Sequence, residues 1–353
     1  MSDKKVSLYF GIILCTVFIF LILANPQVCK NGVISGILLC GRVIIPSLFP
    51  FTFCLLFIMR SGILEGLSPL APVTERLFGL SPQGFGILLF SLVGGYPVGA
   101  KLLNEAVRQE RLSPKRAGQL LNCCVNAGPA FIVAAVGSGI LHSRKAGYIL
   151  LGSHITASLV ICIALRFFQN EKEEMKGAAA SVTGAADSFV LSASEAAASV
   201  MNICTFVILF SATGAYLLHL SQAFPFFKTV AALAEVTVGV TGTGNIYFIS
   251  FLLGFAGLSV WCQILSVATA FKIKLLPFVL FRLLHGVLSV GLTFILIKLF
   301  GLSLEALSNN RSFSLRLMYS TPALSVSIVM MCLIFLISLS KRKFAGKMLE
   351  DVI

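Results

Sequence analysis

Six polar side chains set in otherwise apolar sequence carry the strongest chemical signal in this chain. Gln119, Asn122 and Asn126 stand at i, i+3 and i+7, and Arg282, His285 and Ser289 repeat that spacing. On helices, such spacing brings three side chains onto one face. An arginine there offers a planar fork of donors suited to a carboxylate. A histidine three residues later supplies a second anion contact or a proton-sensitive one. Two blander readings stand beside this. Arg282, six positions past Pro277, reaches the outer interface by snorkelling, or both stripes bond helix to helix with no ligand.

Two interruptions of apolar runs add to the picture: Gly94-Gly95-Tyr96-Pro97 and Gly257-Leu258-Ser259. A glycine-glycine-x-proline break suits two half-helices meeting at a re-entrant tip better than a straight span. Irregular backbone at membrane depth survives only where protein or a water-filled cavity shelters it, so the breaks point to a site. A half-helix that restarts at such a tip aims unpaired N–H groups inward and favours an anion. Lys101 and Gln263 follow the tips within about two turns. Glu235 and Thr237 precede the second tip. An acid there either holds a coupling cation, Na+ or H+, or pairs with a basic residue.

These groups belong to a chain of 353 residues, 57% hydrophobic and 12% charged, with a mean hydropathy of +0.96. A soluble domain carries about twice that share of charge. Charge-free stretches of 24 residues from Val6 to Cys29, 26 from Gly118 to Ser143 and 36 from Val236 to Phe271 can each cross a bilayer. An all-α polytopic membrane protein follows. A soluble enzyme, a nucleic-acid binder and a secreted disulfide scaffold are excluded. The net charge of +13 collects at junctions between apolar runs, most densely at Lys101, Arg108, Arg111, Lys115 and Arg116, as in cytoplasmic loops. The ten cysteines mostly lie within apolar runs, where thiols pack as small hydrophobes. Cys123-Cys124 has no second pair or histidine at ligand spacing, so neither a metal site nor a cofactor is expected. Phosphate-binding loops, Gly-x-Ser-x-Gly and His-Glu-x-x-His are absent from the sequence, and no enzyme chemistry is expected.

The elements that must position the polar groups read as an N-terminal transmembrane helix (1–27), a first repeat (28–168), a cytoplasmic linker (169–186), a second repeat (187–340) and a basic tail (341–353). In the first repeat an interfacial helix at 28–45 turns at Pro46 and Pro50 into a span at 47–61. A hairpin around 94–97 and spans at 117–140 and 146–166 follow. An interfacial helix at 177–200 leads from the linker into the second repeat, which goes on with a span at 201–220, a hairpin within 241–271, and spans at 276–297 and 318–340. That makes about seven full spans and two re-entrant hairpins, with a cytoplasmic N-terminus. Lys341-Arg342-Lys343 then falls outside, against the positive-inside tendency. The two halves align: Glu75, Gly79 and Ser81 with Glu235, Gly239 and Thr241 at an offset of 160, Gly95 with Gly257 at 162, and Pro114 and Gly128 with Pro277 and Gly291 at 163. At that last offset the two polar stripes coincide. One hairpin opens inward and the other outward, as in inverted-repeat transporters that bind substrate near the midplane.

Several of these segments also carry a family resemblance. Ser47-Leu48-Phe49-Pro50-Phe51, Gly95-Tyr96-Pro97-Val98-Gly99-Ala100-Lys101, Leu112-Ser113-Pro114 and Asn126-Ala127-Gly128-Pro129 resemble segments of the YlbJ sporulation integral membrane proteins. So do Ser153-His154, Glu235-Val236-Thr237-Val238-Gly239, Gly257-Leu258-Ser259-Val260 and Arg282-Leu283-Leu284-His285-Gly286. That family belongs to the nucleoside-recognition gate group, which is similar to concentrative nucleoside transporters. The resemblance implies an inverted-repeat fold in the outer forespore membrane of an endospore former, with dipicolinate as cargo. Nucleoside carriers of that kind hold ribose with acids at both hairpin tips, and these tips have none. Family members usually place His-Ala-Gln after Gly-Leu-Ser-Val, where this chain has Trp261-Cys262-Gln263. The expectation is a carrier of a small organic anion, with a nucleoside transporter and a sporulation scaffold as rivals. Its partners are then the lipid bilayer and an anionic substrate, with room for a homo-oligomer.

Overall fold

The computed structural model describes residues 16, 19–60, 71–167 and 185–302, and among them every regular element is helical. Residues 26–60 form one helix, α1, from three consecutive pieces: Pro26–Leu39, a π-helical turn Cys40–Ile44, and Ile45–Arg60. Asn25 caps its start by accepting from the Val28 N–H at 3.4 Å, with Pro26 at the first position where a missing N–H costs nothing. The expected turn at Pro46 does not occur. The widened π turn lies just before Pro46, where the ring would otherwise meet the carbonyl four residues back, and the helix continues. The second interfacial helix is corrected likewise. From Ala185 it is continuous with the following span in α8, Ala185–Leu220, of 36 residues, about 54 Å long.

Helices α1 and α8 run antiparallel. Asn25 meets His219, Gly36 packs on Ile208 and Ser211, the Cys40 thiol donates to the Cys204 carbonyl, and Phe53 meets Phe189. Each step forward along α1 is a step back along α8.

Between them lies the first broken unit: α2 Ala71–Phe78, α3 Pro82–Gly94, α4 Val98–Arg108, α5 Pro114–Leu120, the π-helical α6 Ala130–Ile140, and α7 Arg144–Phe167. Helices α2 and α3 bend by 73° at their junction. After α8 come α9 Phe226–Ala234, α10 Val236–Thr241, α11 Ile246–Phe255, α12 Gly257–Val267 and α13 Leu275–Phe300. The breaks at the aligned Gly95 and Gly257 both hold a glycine at positive φ, +73° and +65°.

Among the described residues four helices are long and apolar enough to cross a membrane: Arg144–Phe167, Asp187–Leu220, Ile246–Val267 and Leu275–Phe300. The third contains the position expected to be the second hairpin tip, and it is a kinked span instead. Two successive residues at positive φ, Ala256 (70°) and Gly257 (65°), interrupt it, and Trp261 Nε1 donates to the Phe255 carbonyl at 2.9 Å across the kink. The expected span at 117–140 is also not continuous, since α5 ends at Leu120 and α6 begins at Ala130. The span expected before residue 28 lies mostly, and the span at 318–340 wholly, outside the described residues. So do residue 168, residues 169–184 of the linker, and the tail.

Two apolar clusters flank the broken segment. One joins α3, α4 and α12 through residues such as Leu88, Leu103 and Ile264, and the other joins α7, α11 and α6 through Leu150, Leu252 and Ile132. Trp261 sits against Phe255 (4.8 Å) and Phe278 (5.8 Å). Replacing it by phenylalanine keeps the packing and strands the Phe255 carbonyl. Trp261→Phe is expected to lose about 1 kcal/mol, read as a lowered melting temperature of the purified protein.

Candidate functional site

The site is built on backbone that stops being helical. Ser113 caps α5 by accepting from the Arg116 N–H at 3.2 Å, and Pro114 takes the first position. The helix ends at Leu120, yet residues 121–128 are all buried. Their polar backbone groups must find partners inside the protein. They find them on other elements. Arg282 Nη1 donates to the Val125 carbonyl at 2.6 Å, and Nη2 donates to the Asn122 carbonyl. The Cys123 carbonyl accepts from Ser158 Oγ and Asn126 Nδ2, both at 2.8 Å. The Ala127 N–H donates to His154 Nε2 at 2.9 Å. On the other side the segment lies against the start of α4: a β-carbon at Gly99 would stand 1.9 Å from the Cys124 oxygen.

Two histidines complete the cluster, their rings stacked at 4.4 Å. His285 Nε2 lies 3.2 Å from the His154 carbonyl, which can only accept, so Nε2 carries the hydrogen. His285 Nδ1 then accepts from Arg282 Nη1 at 3.4 Å. His154 accepts at Nε2, so its hydrogen sits on Nδ1. The geometry thus assigns two neutral imidazoles beside one guanidinium. A chain of hydroxyls, Ser153, Thr293 and Ser250, linked at 2.8 Å, closes the far side.

Five polar atoms around this cluster are buried and have no hydrogen-bond partner among the described residues: Tyr96 Oη, Asn126 Oδ1, His154 Nδ1, Arg282 Nε and Ser289 Oγ. Buried polar atoms are nearly always paired, so such a concentration marks the region out. Tyr96 lies within electrostatic reach of both Arg282 and Glu235.

The expected stripe of Arg282, His285 and Ser289 lies on one face of α13, each residue 0% exposed. Arg282 therefore does not snorkel, and its fork holds backbone carbonyls. The partner stripe is corrected. Gln119 remains on α5, bonded to Arg116 at 3.2 Å, while Asn122 and Asn126 lie in the non-helical segment and share no helix face with it. Gly94 ends α3 and Gly95 packs against Gly128, so the first tip touches the segment. Ser259 and Gln263 are buried and bond each other at 3.5 Å. Gly257 packs near Leu233 and Ala234. Lys101 bonds the Glu195 carbonyl at 3.0 Å. Glu235 caps α10, accepting from the Val238 N–H at 2.9 Å and from the Thr237 hydroxyl.

His154, Ser153 and Ser158 on α7, and Ser91 on α3, whose Oγ accepts from Asn126 Nδ2 at 3.0 Å, were not among the expected site residues. Their signal is present: Ser153, His154, Ala157, Ser158 and Ile161 form one buried helical face in an apolar run.

The chain is 22% identical over 337 residues to the sporulation integral membrane protein YlbJ of Bacillus subtilis (strain 168), covering 81% of this chain and 83% of that protein. No family model matches it, and no solved structure does so significantly. Motifs spread from Ser47 to Gly286, likeness along most of both chains and, among the described residues, an all-helical architecture with four membrane-length helices agree on an integral membrane protein similar to YlbJ.

Proposed function

We propose that the protein carries a small organic anion across the membrane by alternating access, with dipicolinate the leading cargo. One observation carries this reading: a fully buried guanidinium, with no carboxylate facing it among the described residues, stands beside unpartnered donors on His154, Arg282 and Ser289. A buried charge of that kind is costly unless something negative or dipolar answers it. Carbonyl dipoles answer part of it, and an anion answers the rest. Planar dipicolinate would offer two carboxylates to those donors. The name of the Bacillus relative supports a place in sporulation; the outer forespore membrane and a cytoplasmic N-terminus belong to the same proposal.

The inverted-repeat arrangement is supported by α1 and α8. They are related by the offset of about 160 that aligns Glu75 with Glu235, and they touch antiparallel, as equivalent helices beside an in-plane two-fold axis must. A nucleoside carrier is disfavoured because the one buried acid among the described residues, Glu235, is spent on a helix cap.

The test is uptake of labelled dipicolinate into proteoliposomes, with uridine in parallel and Ser289→Ala as the variant. Ser289 Oγ bonds nothing within the described protein, so its loss leaves the fold intact. Saturable dipicolinate uptake with KM raised about tenfold in the variant is expected, the effect of one lost bond to a charged group. Uridine uptake in place of dipicolinate would install the nucleoside reading. Silence for both, under Na+ and proton gradients alike, would leave a membrane scaffold.

A further inference from the structure

We infer that Arg282 is a tethered cation, filling the place where broken-helix transporters hold an exchangeable coupling ion, so that the segment 121–129 closes without Na+. In such transporters unwound carbonyls and the C-terminal ends of half-helices coordinate the ion. Here the carbonyls of Asn122 and Val125 lie just past the C-terminus of α5, the negative end of its dipole. Both are taken by one guanidinium arriving from α13, 160 and 157 residues away in sequence. No carboxylate pairs with it among the described residues. Oxygen dipoles answer part of its charge, as they would a metal ion's.

An arginine neither dissociates nor loses its proton in a protein. The site therefore keeps one positive charge through every conformation, and the carbonyls never become vacant for a diffusible ion. The link to cargo rests on the transport reading, but the occupancy of the carbonyls does not.

The experiment compares melting of the purified full-length protein in sodium, potassium and choline chloride, together with Arg282→Ala, Arg282→Lys and Arg282→Met. Wild-type melting should shift by less than about 1 °C between salts, and its uptake should be equal in sodium and choline. Arg282→Ala leaves a guanidinium-sized gap facing two carbonyls. Millimolar methylguanidinium should raise its melting temperature by about 4 °C and leave wild type and Arg282→Met unmoved. Arg282→Lys should outlast Arg282→Met. Saturable stabilisation of wild type by Na+ over choline would overturn the inference, and so would a folded Arg282→Ala indifferent to methylguanidinium. If Arg282→Ala does not accumulate, the comparison of lysine with methionine decides, and equal stability of the two overturns it. Failure of dipicolinate uptake in every salt removes the transport reading alone, since the melting results still decide what Arg282 does.

Discussion

Gly99→Ala should destabilise the protein by about 3 kcal/mol and lower its melting temperature by roughly 6–12 °C. The added β-carbon would lie 1.9 Å from the Cys124 oxygen and 2.8 Å from the Ser91 β-carbon. Neither neighbour is the free end of a flexible side chain. Overpacking usually costs about 1–3 kcal/mol, and backbone against backbone takes the top of that range because relief requires moving a segment. The segment that must move carries the carbonyls bound by Arg282 and the amide bound by His154, so the displacement opens those bonds too. Gly291→Ala is the matching control. A β-carbon there meets nothing within 4 Å, and alanine improves helix propensity by up to about 1 kcal/mol. A Gly99→Ala protein that melts with wild type would refute the packing of α4 on the broken segment.

His154→Leu should cost about 2–4 kcal/mol and fail in transport even where the protein still inserts. Leucine fills much of the volume but cannot accept from the buried Ala127 N–H, which donates to His154 Nε2 at 2.9 Å. A stranded buried donor costs about 1–3 kcal/mol, and the lost ring stack on His285 adds about 0.5–1.5 kcal/mol. His154→Gln, which keeps an acceptor on a chain of similar reach, should recover part of the stability. Hydrogen exchange at the Ala127 amide gives the direct reading: protected in wild type, fast in the leucine variant, intermediate in the glutamine one. Equal protection in all three would show that the histidine does not hold the segment.

The half of the site on α13 was legible because one continuous helix carries it. Polar residues at i, i+3 and i+7 in an apolar run must share a face, and Arg282, His285 and Ser289 do. The same rule misplaced Asn122 and Asn126. Leu120 to Ala127 contains no glycine or proline, so local sequence gives no reason for a helix to end there. It ends because groups distant in sequence offer better partners to its carbonyls and amide than another turn would: Arg282, Ser158 and His154. Position 257 misled in the opposite sense. A glycine after an apolar run suggested a turning tip, but the two residues at positive φ, Ala256 and Gly257, bend the helix without reversing it, and the indole of Trp261 bonds the carbonyl freed at the bend. The antiparallel contact of α1 with α8 was not readable, since Pro46 and Pro50 argued for a turn that the π turn makes unnecessary.

The bonds from Arg282 to Asn122 and Val125 also set a timetable for biogenesis. When residues 121–129 leave the ribosome, the side chain that satisfies two of their carbonyls is still about 160 residues from being made. At typical synthesis rates that interval is roughly 10–30 s. Throughout it, the Asn122 and Val125 carbonyls need water or the insertion machinery as a partner, because lipid offers none. The N-terminal half therefore enters the membrane unfinished, and a nascent chain halted before residue 282 should stay bound to its insertase.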